Sequence, residues 1–324
     1  LTNLTAIIIS GVVSIVHSKN HINSTCSSKI HSICSTAILL MTFAGLQQAP
    51  AAAATLHGGW NYAIDSFTDG VTGTHIGGGE FEFYGIAIKE TSDKAYVAIN
   101  SNLSLTGFAA PGTGRGNVNY GDLFFNFSGQ NFNTANTNRS LFAIRFAEGN
   151  DSGVGTTGVY SHVAAKSVTS TNLGFRNLNL YNSTVVFGGG TPSMGDLAAD
   201  DPYFQQTGID TVLNSIAVGT KVGEINFLTP ETLSVLGLDF AQFNATGSQT
   251  IGFSFDKSAM PSGAFIANFF AECANDGIAI KGSFQPGVDP DVEAVPEPST
   301  VLGTLLAFGV LGIGKAKRKN HRQK

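Results

Sequence analysis

The sequence predicts an all-β protein: one β-sandwich or jelly-roll-like domain with one or two short helices, an N-terminal signal segment before it and a short C-terminal hydrophobic helix after it. Three observations carry this. Apolar residues alternate with period two rather than 3.6 through the middle of the chain. Glycine and asparagine clusters break that pattern at short intervals. Charged residues make up only 13% of the 324 residues, about half the usual ~25%, while Gly reaches 39 and Phe 24. Such a composition excludes disorder driven by charge and implies many turns joining short apolar strands.

The first clear strand signal is Glu80-Phe81-Glu82-Phe83-Tyr84-Gly85-Ile86-Ala87-Ile88-Lys89. Read as one strand, it places Phe81 and Phe83 on one face and Glu80 and Glu82 on a solvated other face. Thr91-Ser92-Asp93-Lys94 is a turn-sized connection to Tyr96–Ile99, so the two runs form a hairpin. Asp122–Ser128, Leu141–Phe146, Thr211–Val218 and Ile251–Phe255 repeat the pattern. Pro111–Gly114, Gly149–Gly153 and Gly188–Pro192 are turn signals between them. Many short strands so spaced favour a sandwich or a related barrel.

Two helices are expected. Thr229 is an N-cap with Pro230 at the first helical position of a segment reaching about Phe240. Ser262 caps a second, with Phe265, Phe269 and Cys273 on one face, ended by Asn275-Asp276-Gly277 before a last strand, Ile278–Phe284. Cys273 is then a buried structural thiol. It is the only cysteine between residues 55 and 288, so that stretch has no internal disulfide and no Cys-based metal or redox site.

Residues 1–54 read as export signal and upstream extension. Lys19 and Lys29 precede the apolar run Ile33–Leu46, which is shorter than the ~20 residues needed to span a bilayer. Gln47–Pro50 and four alanines follow, so cleavage by signal peptidase is expected after Ala53 or Ala54. The earlier apolar run, Leu4–Val16, does not fit the same signal, and with Leu1 as the first residue the expectation is a true start further downstream or a non-Met start codon translated literally.

Residues 55–288 read as one β-rich ectodomain, and 289–324 as linker and tail. Asp289–Glu293 is acidic and Pro-interrupted. Val295-Pro296-Glu297-Pro298-Ser299 leads into an apolar segment, 300–314, and a basic end, 315–324, that the positive-inside bias keeps cytoplasmic. Pro296-Glu297-Pro298, a short apolar helix and a Lys/Arg cluster, in that order, resemble the PEP-CTERM sorting signal of Gram-negative bacteria. The resemblance implies recognition by an exosortase, cleavage near Pro296-Glu297-Pro298, transient membrane association through the apolar segment, and a final place at the cell surface or in the extracellular matrix. The runs His57–Asp65, Phe81–Lys89, Gly121–Gly129 and Phe270–Gly277 also resemble cyanobacterial exosortase-dependent surface proteins of the XDD type, a family that brings no enzymatic role to particular residues.

Between Thr55 and Ala294 there are ten basic and 22 acidic residues. An acidic body without a basic stripe argues against nucleic acid as a partner. The three histidines there, His57, His75 and His162, are not spaced as ligands on one helix face. No Gly-x-Ser-x-Gly elbow is present, and Gly77–Gly79 and Gly188–Gly190 lack the Lys-Ser/Thr of a phosphate loop. The expectation is therefore no catalytic residue and no obligatory cofactor. The best calcium candidates are Asp196, Asp200 and Asp201 in an acidic Gly-containing loop, although Asp200 or Asp201 equally suits a turn or a cap before Pro202. Asp65 and Asp69 flank a turn.

The reading that follows is a non-enzymatic structural or adhesive surface protein associated with exopolysaccharide or another surface polymer. The alternative is a carbohydrate-binding module, with or without calcium, stacking sugars on Trp60, Tyr62, Tyr84, Tyr120, Tyr181 or Tyr203, of which Trp60 also reads as core. A third reading, a secreted glycan hydrolase, requires two carboxylates facing a groove.

Overall fold

The computed structural model describes residues 55–205 and 212–286; the expected cleavage site at Ala53 and Ala54, the motif at Pro296, Glu297 and Pro298, and the apolar and basic tail lie outside them. The strands are β1 (Thr55–His57), β2 (Trp60–Ile64), β3 (Val71–Thr72), β4 (His75–Ile76), β5 (Phe83–Glu90), β6 (Lys94–Ser101), β7 (Phe108–Ala109), β8 (Asn117–Val118), β9 (Leu123–Asn126), β10 (Leu141–Arg145), β11 (Gly158–Lys166), β12 (Ser215–Gly223), β13 (Ile225–Leu228), β14 (Gln249–Asp256), β15 (Gly263–Phe270) and β16 (Gly277–Phe284). Twelve of them form two six-stranded antiparallel sheets, ordered β1-β2-β5-β6-β14-β13 and β12-β11-β10-β9-β15-β16. The remaining four make two small hairpins, β3-β4 and β7-β8.

The sheets face each other across a core of alternate residues. Ile86, Ile88, Val97, Ile99, Phe253 and Phe255 come from the first sheet, and Leu123, Phe125, Ile144, Phe146, Phe269 and Ile278 from the second. Rings meet across the gap: Phe83 and Phe269 lie 4.9 Å apart, and Phe146 stacks on Phe253 at 5.4 Å. Period-two alternation aims the intervening residues outward, and here they are covered too. Trp60, Tyr62, Ala87 and Ala98 lie under Leu233 and Phe240. Phe124, Tyr160, Val163 and Ala279 lie under α1 (Phe132–Thr137), α2 (Leu178–Phe187) and the segment around Met194–Phe204. Both faces of much of each sheet are buried, which explains the apolar content and the scarcity of charge.

The expected hairpin is β5-β6, in register from Ile86 opposite Ile99 to Glu90 opposite Ala95. The helix at Thr229 is α3 (Pro230–Val235), with Thr229 Oγ1 accepting from Thr232 N at 3.3 Å. It is shorter than expected because the chain turns at Gly237, which has φ +82°. The second expected helix, from Ser262 through Cys273, is instead β15, paired with β16 and β9. A spacing of four satisfies period two as well as 3.6. Phe265, Ala267 and Phe269 face the inter-sheet core while Phe270 faces the covering layer. There are thus three short α-helices among the described residues, of which only α3 coincides with an expected one. Cys273 is a free, buried thiol, and burial pushes it up to about 12.

Residues 80–82 also depart from the strand reading. The chain turns at 79–81 and β5 starts at Phe83, so Phe81 and Phe83 are both core, Glu80 is exposed and Glu82 is completely buried. No helix among the described residues is long and apolar enough to cross a membrane.

Candidate metal centre

Four carboxylates meet below the surface where β2, β5 and β16 come together. Asp65 follows the last residue of β2 and Asp69 lies four residues on. Glu82 immediately precedes β5, and Asp276 immediately precedes β16. Between Asp69 and Glu82 the chain makes an excursion through the β3-β4 hairpin. That excursion is tied to the Asp276 turn by Val71 N donating to Asn275 O at 2.9 Å and Asn275 Nδ2 donating to Val71 O at 2.7 Å. Asp69, Glu82 and Asp276 are 0% exposed and Asp65 is 6% exposed.

Backbone N–H groups fix one oxygen of Asp65, Asp69 and Glu82 and both oxygens of Asp276. Asp65 Oδ1 accepts from Ser66 N at 3.0 Å and Gly195 N at 3.1 Å. Asp69 Oδ2 accepts from Ser193 N at 2.8 Å. Glu82 Oε2 accepts from Gly70 N at 3.1 Å and Gly78 N at 2.7 Å. Asp276 Oδ2 accepts from Phe83 N at 2.7 Å, and its Oδ1 accepts from Gly277 N at 2.7 Å and Tyr181 Oη at 3.1 Å. Gly70 is required for this approach, since a Cβ there would lie 2.6 Å from Glu82 Cα.

The outer oxygens, Asp65 Oδ2, Asp69 Oδ1 and Glu82 Oε1, are buried and accept no hydrogen bond. Asp65, Asp69 and Asp276 each present an oxygen within 4.8 Å of the others. None of the four carboxylates has an ion-pair partner among the described residues. Burial raises all four, Asp65, Asp69 and Asp276 well above the ordinary carboxylate range; for Asp69 and Asp276 the neighbouring carboxylates are the next cause, and Glu82 adds to Asp65 as well. The group is an all-oxygen, anionic cage, and the ligand chemistry it fits is a hard cation.

The loop expected to hold calcium is built differently. Asp196 Oδ2 accepts from Lys281 N at 2.9 Å and pins the loop to β16. Asp200 is exposed. Asp201 caps the 3-10 turn Pro202–Phe204 by accepting from Tyr203 N at 2.8 Å. Asp196 and Asp201 are spent on separate local contacts, and the three carboxylates form no acidic cluster among the described residues. Their loop still contributes, because Ser193 N and Gly195 N hold Asp69 and Asp65. Of the aromatics offered as a sugar platform, Trp60, Tyr62, Tyr120, Tyr181 and Tyr203 are buried and Tyr84 is half-buried. Trp60 spends its indole N–H on Leu236 O at 3.0 Å.

A second buried acidic group sits on the other side of the β15-β16 turn. Glu272 accepts from Asn119 N at 2.8 Å and from Asp151 N, and burial pushes it up to about 7, with Asp151 and Asp122 adding to the rise. Asp122 accepts from Ile216 N at 2.6 Å and Asn150 Nδ2 at 2.9 Å. Arg145 fastens the same loop through Asn150 Oδ1, Val154 O and Glu148 O. All of these groups lock loops onto the second sheet.

The fold and centre define a class: a two-sheet β-sandwich whose loops are locked by buried carboxylates. Compared with family models, curated proteins and solved structures, the chain matches none.

Proposed function

We propose that the chain is an exported, exosortase-processed protein of the cell surface or extracellular matrix, in which the sandwich has a structural or adhesive role and associates with a surface polymer. The observation that carries this reading is the order Pro296-Glu297-Pro298, apolar segment, Lys/Arg cluster. Its position after β16, which ends at Phe284, with a linker between, supports it. The acidic groups that burial perturbs most are anchored by backbone N–H groups beneath the surface, an arrangement suited to holding loops rather than to meeting a substrate.

The test is mass spectrometry of protein recovered from the surface of the native cell. The expected mature chain starts at Ala54 or Thr55 and lacks 301–324. Recovery of surface protein still carrying Lys324 refutes the processing. A variant with Pro296-Glu297-Pro298 replaced by alanines accumulates uncut in the membrane fraction.

A further inference from the structure

We propose that Asp65, Asp69, Glu82 and Asp276 form a calcium site that fastens the 65–82 excursion to both sheets of the sandwich. The proposal goes beyond the surface role and does not depend on how the chain is processed.

Three separate observations lead to it. Asp65 Oδ2, Asp69 Oδ1 and Glu82 Oε1 are buried acceptors without donors. Such atoms are rare in native interiors because each forfeits the hydration it had in the unfolded chain. Two of them belong to Asp65 and Asp69, which converge with Asp276, so one positive ligand answers both, and Glu82 lies beside them. The second observation is spacing. Oxygens of Asp65, Asp69 and Asp276 lie within 4.8 Å of one another. With Ca–O distances of about 2.3–2.6 Å, opposite ligands on a single calcium stand roughly 4.6–5.2 Å apart. The third is orientation. The opposite oxygen of Asp65, Asp69 and Glu82 is held by amides of Ser66, Gly195, Ser193, Gly70 and Gly78. Outer-shell bonds of this kind aim a carboxylate at a metal.

The donors select the ion. Nitrogen and sulfur are absent from the group, which disfavours zinc and copper and favours calcium or magnesium. Three carboxylates converge, with Glu82 beside them, and each is carried by a loop at the end or start of a strand. Calcium accepts about six to eight oxygens in flexible geometry, whereas magnesium demands a near-ideal octahedron at about 2.0–2.1 Å and gives up water reluctantly. The cage therefore favours calcium, with carbonyl or water oxygens completing its shell. Bound there, the ion joins the end of β2, the start of β5 and the start of β16, and through Tyr181 and Ser193 it supports α2 and the loop that follows.

The full chain, purified, stripped with EDTA and exchanged into calcium-free buffer at pH 7.5, is titrated by calorimetry and melted with calcium, with magnesium and with neither. The expected result is one calcium per chain and a rise in Tm of roughly 5–10 °C at a hundredfold excess over the dissociation constant, with a smaller response to magnesium. Asp69→Asn, which replaces a carboxylate ligand by a neutral amide of the same size, should still melt cooperatively in EDTA and should lose the calcium-dependent rise. Asp201→Asn should keep that rise. The proposal is overturned if the wild type gives no heat up to 10 mM calcium (about three orders of magnitude beyond the weakest sensor-type sites) and melts alike in calcium and EDTA. Persistence of the full rise in Asp69→Asn also overturns it, and an equal response to magnesium overturns the calcium assignment. Should Asp69→Asn fail to fold, the wild-type titration and Asp65→Asn decide the matter.

Discussion

Replacing Glu272 by Gln should change how the stability of the domain depends on pH. Glu272 is 1% exposed, and its carboxyl is pushed from the usual 4.5 up to about 7 by burial, with the charges of Asp151 and Asp122 adding to the rise against two backbone hydrogen bonds that oppose it. Arg115 pairs with Asp151 at 2.6 Å and blunts that contribution. Below pH 4.5 both folded and unfolded chains hold the proton, and Glu272 exerts no penalty. Between 4.5 and 7 the folded chain keeps a proton that the unfolded chain has released, so stability falls as pH rises. At about 1.4 kcal/mol per pH unit the loss accumulates to about 3 kcal/mol and is complete above pH 7. Glu272→Gln cannot ionise. It carries a constant offset, since its amide group meets one of the two N–H donors, but no slope. Urea unfolding of both proteins at pH 4.5, 6 and 8, in calcium throughout, isolates the effect, because the other carboxylates cancel in the difference. The stability of Glu272→Gln relative to wild type should grow by about 3 kcal/mol from pH 4.5 to pH 8. A difference that stays constant to within about 0.5 kcal/mol would refute the reasoning that burial governs this carboxyl.

Two further outcomes follow from packing. Phe269→Ala, which empties a position in contact with Phe83, Tyr120 and Phe146, should cost about 3–5 kcal/mol, while Phe187→Ala, at a side chain 96% exposed on α2, should stay within about 0.5 kcal/mol; equal effects in urea unfolding would contradict the assigned core. The Cys273 thiol, buried and pushed up to about 12, should resist a maleimide at pH 8 in the native protein and react completely in guanidinium. Peptide mapping reads this directly, and rapid native labelling of Cys273 would place the thiol at the surface.

Legibility followed physical locality. The β5-β6 hairpin, the strands at Leu141 and Ile251, and the Thr229-Pro230 helix start were readable because alternation, turn residues and caps act between near neighbours. β15 was misread because Phe265 and Phe269 fit two periods, and the partner that decides between them, β16, lies beyond the next turn. α1 and α2 were missed since their caps, Asn131 and Asn177, sit among many other asparagines, α1 is only six residues long, and in α2 the buried stripe Leu178, Tyr181 and Val185 is masked by apolar Leu180, Val186 and Phe187 on the exposed side. The acidic centre was hardest. Asp65, Asp69, Glu82 and Asp276 were all visible, but the loop with the densest carboxylates, Asp196–Asp201, attracted the metal assignment. What separates the two is burial, a property of tertiary structure. One local signal did point the right way: Asp69 and Glu82 stand around a Gly-rich excursion, two of whose amides, Gly70 N and Gly78 N, hold a carboxylate.

The order of strands in the two sheets also dictates when this protein becomes safe from its own kind. β6 and β9 occupy the middle of their sheets only because β14 and β15 arrive from the last third of the chain. Until residue 249 has emerged, a chain delivered N-terminus first carries two unprotected edges, Lys94–Ser101 and Leu123–Asn126, each rich in β-branched or aromatic residues, and such edges recruit neighbouring chains. The bond from Phe83 N to Asp276 Oδ2 spans 193 residues and cannot close before that. A crowd of half-delivered copies is therefore at its stickiest just short of completion, and a truncation before β14 should yield aggregates rather than a smaller sandwich.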